Sequence, residues 1–197
     1  MNFDADKDYV LENDRVLLRP LLSEDLKNLS VFSLQEPELW KYSLVPANGL
    51  ENLKSYIYLA LKARESKTAY PFIVFDKIRN AYAGSTRFYD IQEQHNCLQL
   101  GFTWYGSQFQ GSGLNKNCKY LLLEFAFEYM MVDRVEFRAD NNNKRSIAAM
   151  KSIGCKEEGI LRSNCMGLDG RRDSIVLSIL KTEWYAEVKE KLFKKIS

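Results

Sequence analysis

Histidine is nearly absent from these 197 residues: the one copy, His95, lies in the polar stretch EQHN. A catalytic triad or a metal site built on histidine is therefore not expected. Cysteine is scarce too. Cys97, Cys118, Cys155 and Cys165 show no C-x-x-C spacing, which argues against a zinc site, any other metal site and a disulfide framework. No apolar run is long enough to span a bilayer, and MNFDADKDYV lacks the basic and apolar regions of a signal peptide. The expected setting is a reducing cytoplasm, away from membranes. An excess of one charge is also missing, with 28 basic against 26 acidic residues and a net charge of +2. A nucleic-acid surface needs a clustered basic surplus, so no nucleic acid is expected as partner. Lys189, Lys191, Lys194 and Lys195 do cluster, but Glu190 interrupts them and they read as the solvated face of a last helix.

What is present is an ordinary globular balance, 46% apolar and 27% charged, in a chain long enough for one α/β domain and too short for two. No repeat or low-complexity linker divides it, so residues 1–197 are read as one domain. RVLLRPL (15–21) is a first strand, followed by Ser23 as N-cap of a helix through about Val31. A second helix spans 50–63. Strands at 69–76, 82–91 and 97–104 form an antiparallel meander. After a glycine-rich junction, Leu114, Cys118, Leu121, Leu122, Phe125, Ala126 and Tyr129 recur at helical steps as one buried face. Val135, Phe137 and Ala139 alternate on a further strand, 134–139. A helix over 143–153 starts at Asn143 as cap and ends at Gly154. Strands 155–164 and 173–180 close a hairpin around Leu168-Asp169-Gly170-Arg171, and a final helix begins near Thr182. The pattern predicts a mixed, mostly antiparallel sheet of about seven strands flanked by helices.

The junction reads QFQGSG (108–113). Two glycines one residue apart strip side chains from the backbone where a helix begins, and there its first N–H groups lack partners. Such a place receives an anion. A Walker-type loop needs Lys and Ser/Thr directly after its last glycine, but Leu114 and Asn115 follow. A dinucleotide fingerprint needs a third glycine where Lys116 stands. A third device, Gln/Arg-x-x-Gly-x-Gly/Ala, is met by Gln108, Gly111 and Gly113.

With that motif the chain resembles the GNAT superfamily of acyl-coenzyme A-dependent N-acetyltransferases, from about Asn13 to Trp184. RVLLRPLLSEDL resembles the family's opening strand and helix. RVEFRADNNNKRSIAAMKSIGCKEEGILR resembles its later strand, helix and strand, with Cys155 in place of the usual aromatic after Gly154. DGRRDSIVLSILKTEW is similar to the closing hairpin of the branch that holds the N-terminal acetyltransferases of ribosomal proteins and relatives acting on small amines. The resemblance implies acetyl-CoA as co-substrate, no metal, and a primary amine as acceptor, on a protein N-terminus or a small molecule, attacked directly in a ternary complex. It also implies a sheet splayed between the fourth and fifth of those strands. A non-catalytic acyl-CoA-binding module of the same fold is the alternative. The oligomeric state stays open, a homodimer being one option.

The family's pattern assigns coenzyme contacts to Leu100, Phe102, Gln108, Phe109, Gln110, Gly111, Ser112, Gly113, Leu114, Asn115 and Asn143. Asn143 doubles as an ordinary helix cap. Gly101 is either the bulge or close-approach position of the splayed strand or a glycine that only bends it. Many members place a tyrosine seven residues after the asparagine as general acid; here Met150 stands there, and Ser146 occupies the position of the branch's catalytic serine. The branch's strand glutamate, its common general base, is replaced by Gln99, which an ammonium cannot protonate. The nearest carboxylates, Asp90 and Glu93, read as solvated. Trp40, Tyr42 and Trp104 are candidates for the acceptor cleft beside Gln99, or for the core.

Overall fold

AYPFIVFD (69–76) is buried at seven of its eight positions, as a strand covered on both faces must be. It forms β3 (Ala69–Asp76) of one eight-stranded sheet in the computed structural model, which describes residues 1–168 and 170–196. The others are β1 (Leu11–Glu12), β2 (Val16–Pro20), β4 (Ala81–Gln92), β5 (Cys97–Tyr105), β6 (Arg134–Asp140), β7 (Lys156–Gly167) and β8 (Gly170–Leu180). Their order is β1-β2-β3-β4-β5-β6-β8-β7. Every neighbouring pair is antiparallel except β5 and β6.

The helices are α1 (Leu26–Gln35), α2 (Leu50–Glu65), α3 (Leu114–Glu124), α4 (Lys144–Ser152), α5 (Lys181–Glu183) and α6 (Lys189–Phe193). Residues 87 and 88 of β4 point to opposite faces, and they show which helix lies where. Arg87 sits over the Tyr56 ring of α2, whereas Phe88 stacks on Phe125 at the end of α3. So α2 covers one face of the sheet and α3 the other.

Several boundaries differ from the sequence reading for identifiable reasons. The eighth strand, β1, is only two residues long and carries no periodicity of its own. Ser23 does not cap α1. A short 3-10 turn, Ser23–Asp25, intervenes, and the buried Asp25 carboxylate accepts from the Leu22 N–H at 2.9 Å while pairing with Arg19 at 2.7 Å. Tyr129 leaves the buried face and is 43% exposed, because residues Phe125–Tyr129 form a π-helical turn. One extra residue in that turn rotates everything after it off the stripe. The closing strands run longer than expected, and Asp169 of the expected Asp-Gly turn lies outside the described residues.

Gly84 shows how tightly β4 and β5 are joined. A Cβ at Gly84 would lie 2.0 Å from the Trp104 carbonyl oxygen, a backbone atom that cannot step aside. Gly84→Ala must therefore push the two strands apart. The expected loss is about 3 kcal/mol or more of folding stability. Urea unfolding checks it, and an unchanged midpoint would refute the close approach.

Candidate active site

The sheet opens along its one parallel seam. β5 and β6 pair at only three positions, Cys97 with Arg134, Leu98 with Val135 and Gln99 with Glu136, although β5 continues to Tyr105. Parallel strands share their carboxyl ends, so the gap widens toward the starts of the segments that follow both. On the other side of β5 the register to β4 slips. Arg87 faces Gly101 but Ser85 faces Trp104, which leaves one extra residue in β5. The bulge is at Phe102, in the left-handed conformation at φ 49. Gly101 is a place of close approach instead: a Cβ there would lie 2.9 Å from the Tyr89 ring.

The glycine-rich segment leaves β5 through a 3-10 turn, Ser107–Phe109. Phe109 anchors it, fully buried against Phe32, and its N–H donates to the Gly106 carbonyl at 2.9 Å, so this residue, expected at the coenzyme, is committed to the fold. The Gln110 amide donates to the Tyr105 carbonyl at 2.7 Å and the Ser112 hydroxyl to the Phe109 carbonyl at 2.6 Å. Gly111 and Gly113 have φ of 73 and 85, and a Cβ on either would meet nothing within 4 Å. Among the described residues the N–H groups of Gly111, Ser112, Gly113 and Asn115 donate to no protein acceptor. They stand at the positive end of α3, an arrangement fit for phosphate oxygens. Gln108 is exposed and the Leu114 side chain is buried. Beside the loop is a cleft of about 390 Å³ between Arg15, Ile78, Ser112, Gly113, Asn117 and Lys195. Arg15, paired with the buried Asp76 at 2.9 Å, also reaches the Ser112 hydroxyl at 3.4 Å.

The second helix start at this end is that of α4. Asn143 caps it, its Oδ1 accepting from the Ser146 N–H at 3.0 Å. The Ser146 hydroxyl makes no hydrogen bond among the described residues and is half-buried, while Met150 is buried.

On the α2 face, Gln99 is 6% exposed and donates through Nε2 to Asp90 at 2.7 Å. An ionised carboxylate only accepts, so this contact fixes which end of the amide faces Asp90. The other end, Oε1, is buried without a donor. Asp90 is thus not merely solvated: exposed and at φ 48, it also accepts from Gln92 at 2.9 Å. Glu93 is exposed in a 3-10 turn. Trp40 and Trp104 are 1% and 7% exposed and pack on each other at 5.1 Å, so they stand in the core rather than on an open surface. Tyr42 is at the edge, its carbonyl accepting from Arg172.

Sequence reading missed four side chains around the bulge. Tyr56 donates to the Phe102 carbonyl at 3.3 Å. Arg87 lies 4.1 Å from the Phe102 ring centroid. Tyr89 covers Gly101, and burial pushes its phenol up to about 12. Lys119 of α3, 5% exposed, donates to Thr103 at 2.8 Å and Thr86 at 3.4 Å, and burial pulls its ammonium down to about 8. The available signals were weak: charged or polar residues at alternate positions of STRFYD, and one lysine inside the apolar run CKYLLLEF.

An open parallel seam, a bare helix start preceded by glycines and a second, capped helix start lie together at one end of an α/β sheet. Residues 15–156 match the family model described as an acetyltransferase (GNAT) domain. The chain belongs to the GNAT family, and it is an acetyltransferase. It is similar to a provisionally named acetyltransferase from T. thermophilus, at 31% identity over 95% of this chain and 97% of that one, with a TM-score of 0.85. It also matches a protein named as an uncharacterized N-acetyltransferase p20 of Bacillus licheniformis, 23% identical over 88% of this chain and 97% of the relative. A ribosomal-protein-S5-alanine acetyltransferase from Vibrio fischeri shares the fold at 18% identity and TM-score 0.73, covering 90% and 99% of the two chains.

Lys119 gives a test of this geometry that needs no ligand. Its folded value is about 8 against 10.5 in the unfolded chain, so the unfolded state binds more protons between those pH values. Below pH 8 the native state carries the full cost of a buried ammonium, and stability is regained as pH rises through the window. Lys119→Met removes this dependence. The stability difference between variant and wild type should shift by about 3 kcal/mol toward the wild type from pH 7 to 10.5. A difference that stays flat in paired urea titrations would mean that Lys119 is hydrated.

Proposed function

We propose that this chain transfers the acetyl group of acetyl-CoA to a primary amine by direct attack in a ternary complex. The observation that carries the reading is continuity. The unpaired stretch of β5 beyond Gln99 leads straight into the bare N–H groups of Gly111, Ser112, Gly113 and Asn115. A coenzyme lying in the seam would contact Leu100 and Phe102 along its arm. Its pyrophosphate would take the free loop amides of Gly111, Ser112, Gly113 and Asn115, and Asn143 would stand across the gap.

In the reaction the amine nitrogen bonds to the acetyl carbon and the carbon–sulfur bond breaks. The amine's surplus proton leaves to water, and the departing thiolate gains one. Ser146 is the proposed proton donor to sulfur, since the Met150 thioether has no proton to give. The backbone of the bulge is the proposed partner of the carbonyl oxygen. Gln99 binds the amine and does not deprotonate it, and Trp40 and Trp104 shape the wall of the acceptor cleft. A protein N-terminus and a small-molecule amine are both acceptors that the branch resemblance supports.

Two substitutions separate binding from chemistry. Gly113→Val places a β-branched side chain at φ 85, in the space left for phosphate oxygens. Acetyl-CoA affinity should fall about 30-fold or more, which is about 2 kcal/mol, with a smaller loss of fold stability from the strained backbone. Calorimetry on the folded variant decides it; an unchanged dissociation constant would remove the loop from the coenzyme site. Ser146→Ala should lower kcat with the acetyl-CoA dissociation constant nearly unchanged, as expected of a group acting in the transition state. Weaker binding at constant kcat would make Ser146 a binding residue.

A further inference from the structure

Arg87 of β4 is 5% exposed. A guanidinium taken out of water normally has an acid beside it, because five N–H donors lose their solvent. Other arginines of this chain follow the rule: Arg15 has Asp76, Arg19 has Asp25, and Arg134 has Glu136 and Glu158. Arg87 does not. Among the described residues no carboxylate pairs with it and none of its nitrogens donates a hydrogen bond, the enclosed Nε included. Two aromatic rings hold it, Tyr56 at 4.7 Å and Phe102 at 4.1 Å from the guanidinium carbon. Rings satisfy the faces of a guanidinium and leave its edge, where the N–H groups point, uncommitted. Tyr56 is itself fixed by the Trp104 indole at 3.3 Å. The cation is therefore held in place with Nε enclosed and without an acceptor, and with its two Nη groups bonded to no protein atom among the described residues.

Its location gives that capacity a use. Arg87 is opposite Gly101 in the register, and Gln99 precedes Gly101 by two residues on the same face. Gln99 Oε1 is buried without a donor. A cation lacking an anion and a carbonyl lacking a donor thus stand one diagonal apart, roughly 7 Å between side-chain roots. We propose that the acceptor is a small amine bearing a carboxylate, an amino acid in the simplest case, whose carboxylate binds Arg87 while its amine N–H meets Gln99 Oε1. The inference rests on the acyl-transfer reading above and narrows its acceptor. A polyamine would bring a cation against Arg87. A carboxylate on the acyl donor fits less well, since β5 separates β4 from the seam that opens toward β6.

The test is a thiol-release assay with acetyl-CoA in which each protein amino acid is run beside its own α-carboxamide. The carboxamide has the less basic amine, more of it neutral at pH 7, so a preference for the acid reports recognition. In the wild type kcat/KM should favour acids by about 30-fold, mostly through KM. In Arg87→Gln that ratio should collapse toward one with acetyl-CoA affinity unchanged, and Arg87→Lys should restore part of it. Equal use of acid and carboxamide by the wild type overturns the proposal without any variant, whether or not Arg87→Gln folds. So does an equal loss for both acceptors in the variant, which would make Arg87 a packing residue, and so does an Arg87-dependent preference for succinyl-CoA over acetyl-CoA. Calorimetry of the same acids into the chain saturated with coenzyme A separates this proposal from the reading beneath it. Acid binding that Arg87→Gln abolishes, in a chain without turnover, supports the pocket and sinks the transfer reading. Turnover of other amines without acid binding does the reverse.

Discussion

The parting of β5 from β6 after three residue pairs is the constraint from which the rest of the site follows. A strand inside a sheet that loses its neighbour exposes a row of donors and acceptors, and burying them unpaired would cost a hydrogen bond each. The fold leaves that seam open at the carboxyl ends of its two parallel strands, where open α/β sheets take ligands. The chain then returns at the same end through two helix starts, at Gly113 and Asn143. One is bare and the other capped by a side chain. Bare amides favour an anion and capped ones do not, so the two starts suit different parts of one long ligand.

Charge around the bulge is arranged with equal economy. Arg19 with Asp25 and Arg15 with Asp76 are structural pairs: each acid also accepts from backbone N–H groups and tethers a turn. Lys119 and Arg87 are of another kind. Each is buried without a carboxylate, and they lie on opposite faces of the sheet, because Thr86 meets Lys119 from the α3 side and Arg87 meets Tyr56 from the α2 side. Two uncompensated cations flanking one strand lower the potential energy of negative charge formed at that strand. Attack on a thioester forms such charge first on oxygen and then on sulfur, and a nearby cation stabilises it more the less water surrounds the pair. For Lys119 the same burial is a cost to the fold, since it disfavours the ammonium.

What could be read from the chain beforehand was what is local. The loop is six consecutive residues whose order states its geometry, and the cap of α4 is a contact over three residues. The core faces of α3 and β6 follow from periodicity, up to the π-helical turn that carries Tyr129 outward. The acceptor face is the opposite case. Tyr56, Arg87 and Phe102 belong to three elements and converge only after α2 docks and β5 bulges, and no spacing along the chain encodes that. The cap of α1 shows the same limit on a small scale. Ser23 has the right chemistry, but the turn starts one residue earlier, at Leu22, whose N–H is taken by the Asp25 carboxylate that Arg19 holds in place from β2.

The proton inventory of the acceptor face then restricts the chemistry. Gln99 cannot take a proton, and the acid nearest to it, Asp90, is committed to two amides at 2.7 and 2.9 Å. Glu136, beside Gln99 across the parallel pair, is held by Arg134 at 2.8 Å and Arg138 at 2.7 Å. Tyr89, pushed up to about 12, is an acid and not a base at neutral pH. Lys119 is brought down toward neutrality, but it lies on the other face, beneath the threonines. The described face therefore contains groups that orient an amine, and its carboxylates are engaged by amides, at Asp90 through Oδ2 alone, or by arginines, at Glu136. A site of this kind gains little from a strong base. It gains from binding the neutral amine in register with the thioester, which turns an encounter of two molecules into a reaction within one complex. Recognition of a second group on the acceptor is the direct way to obtain that register, and an unpaired, ring-clamped arginine one diagonal from the amide carbonyl is the kind of group that provides it.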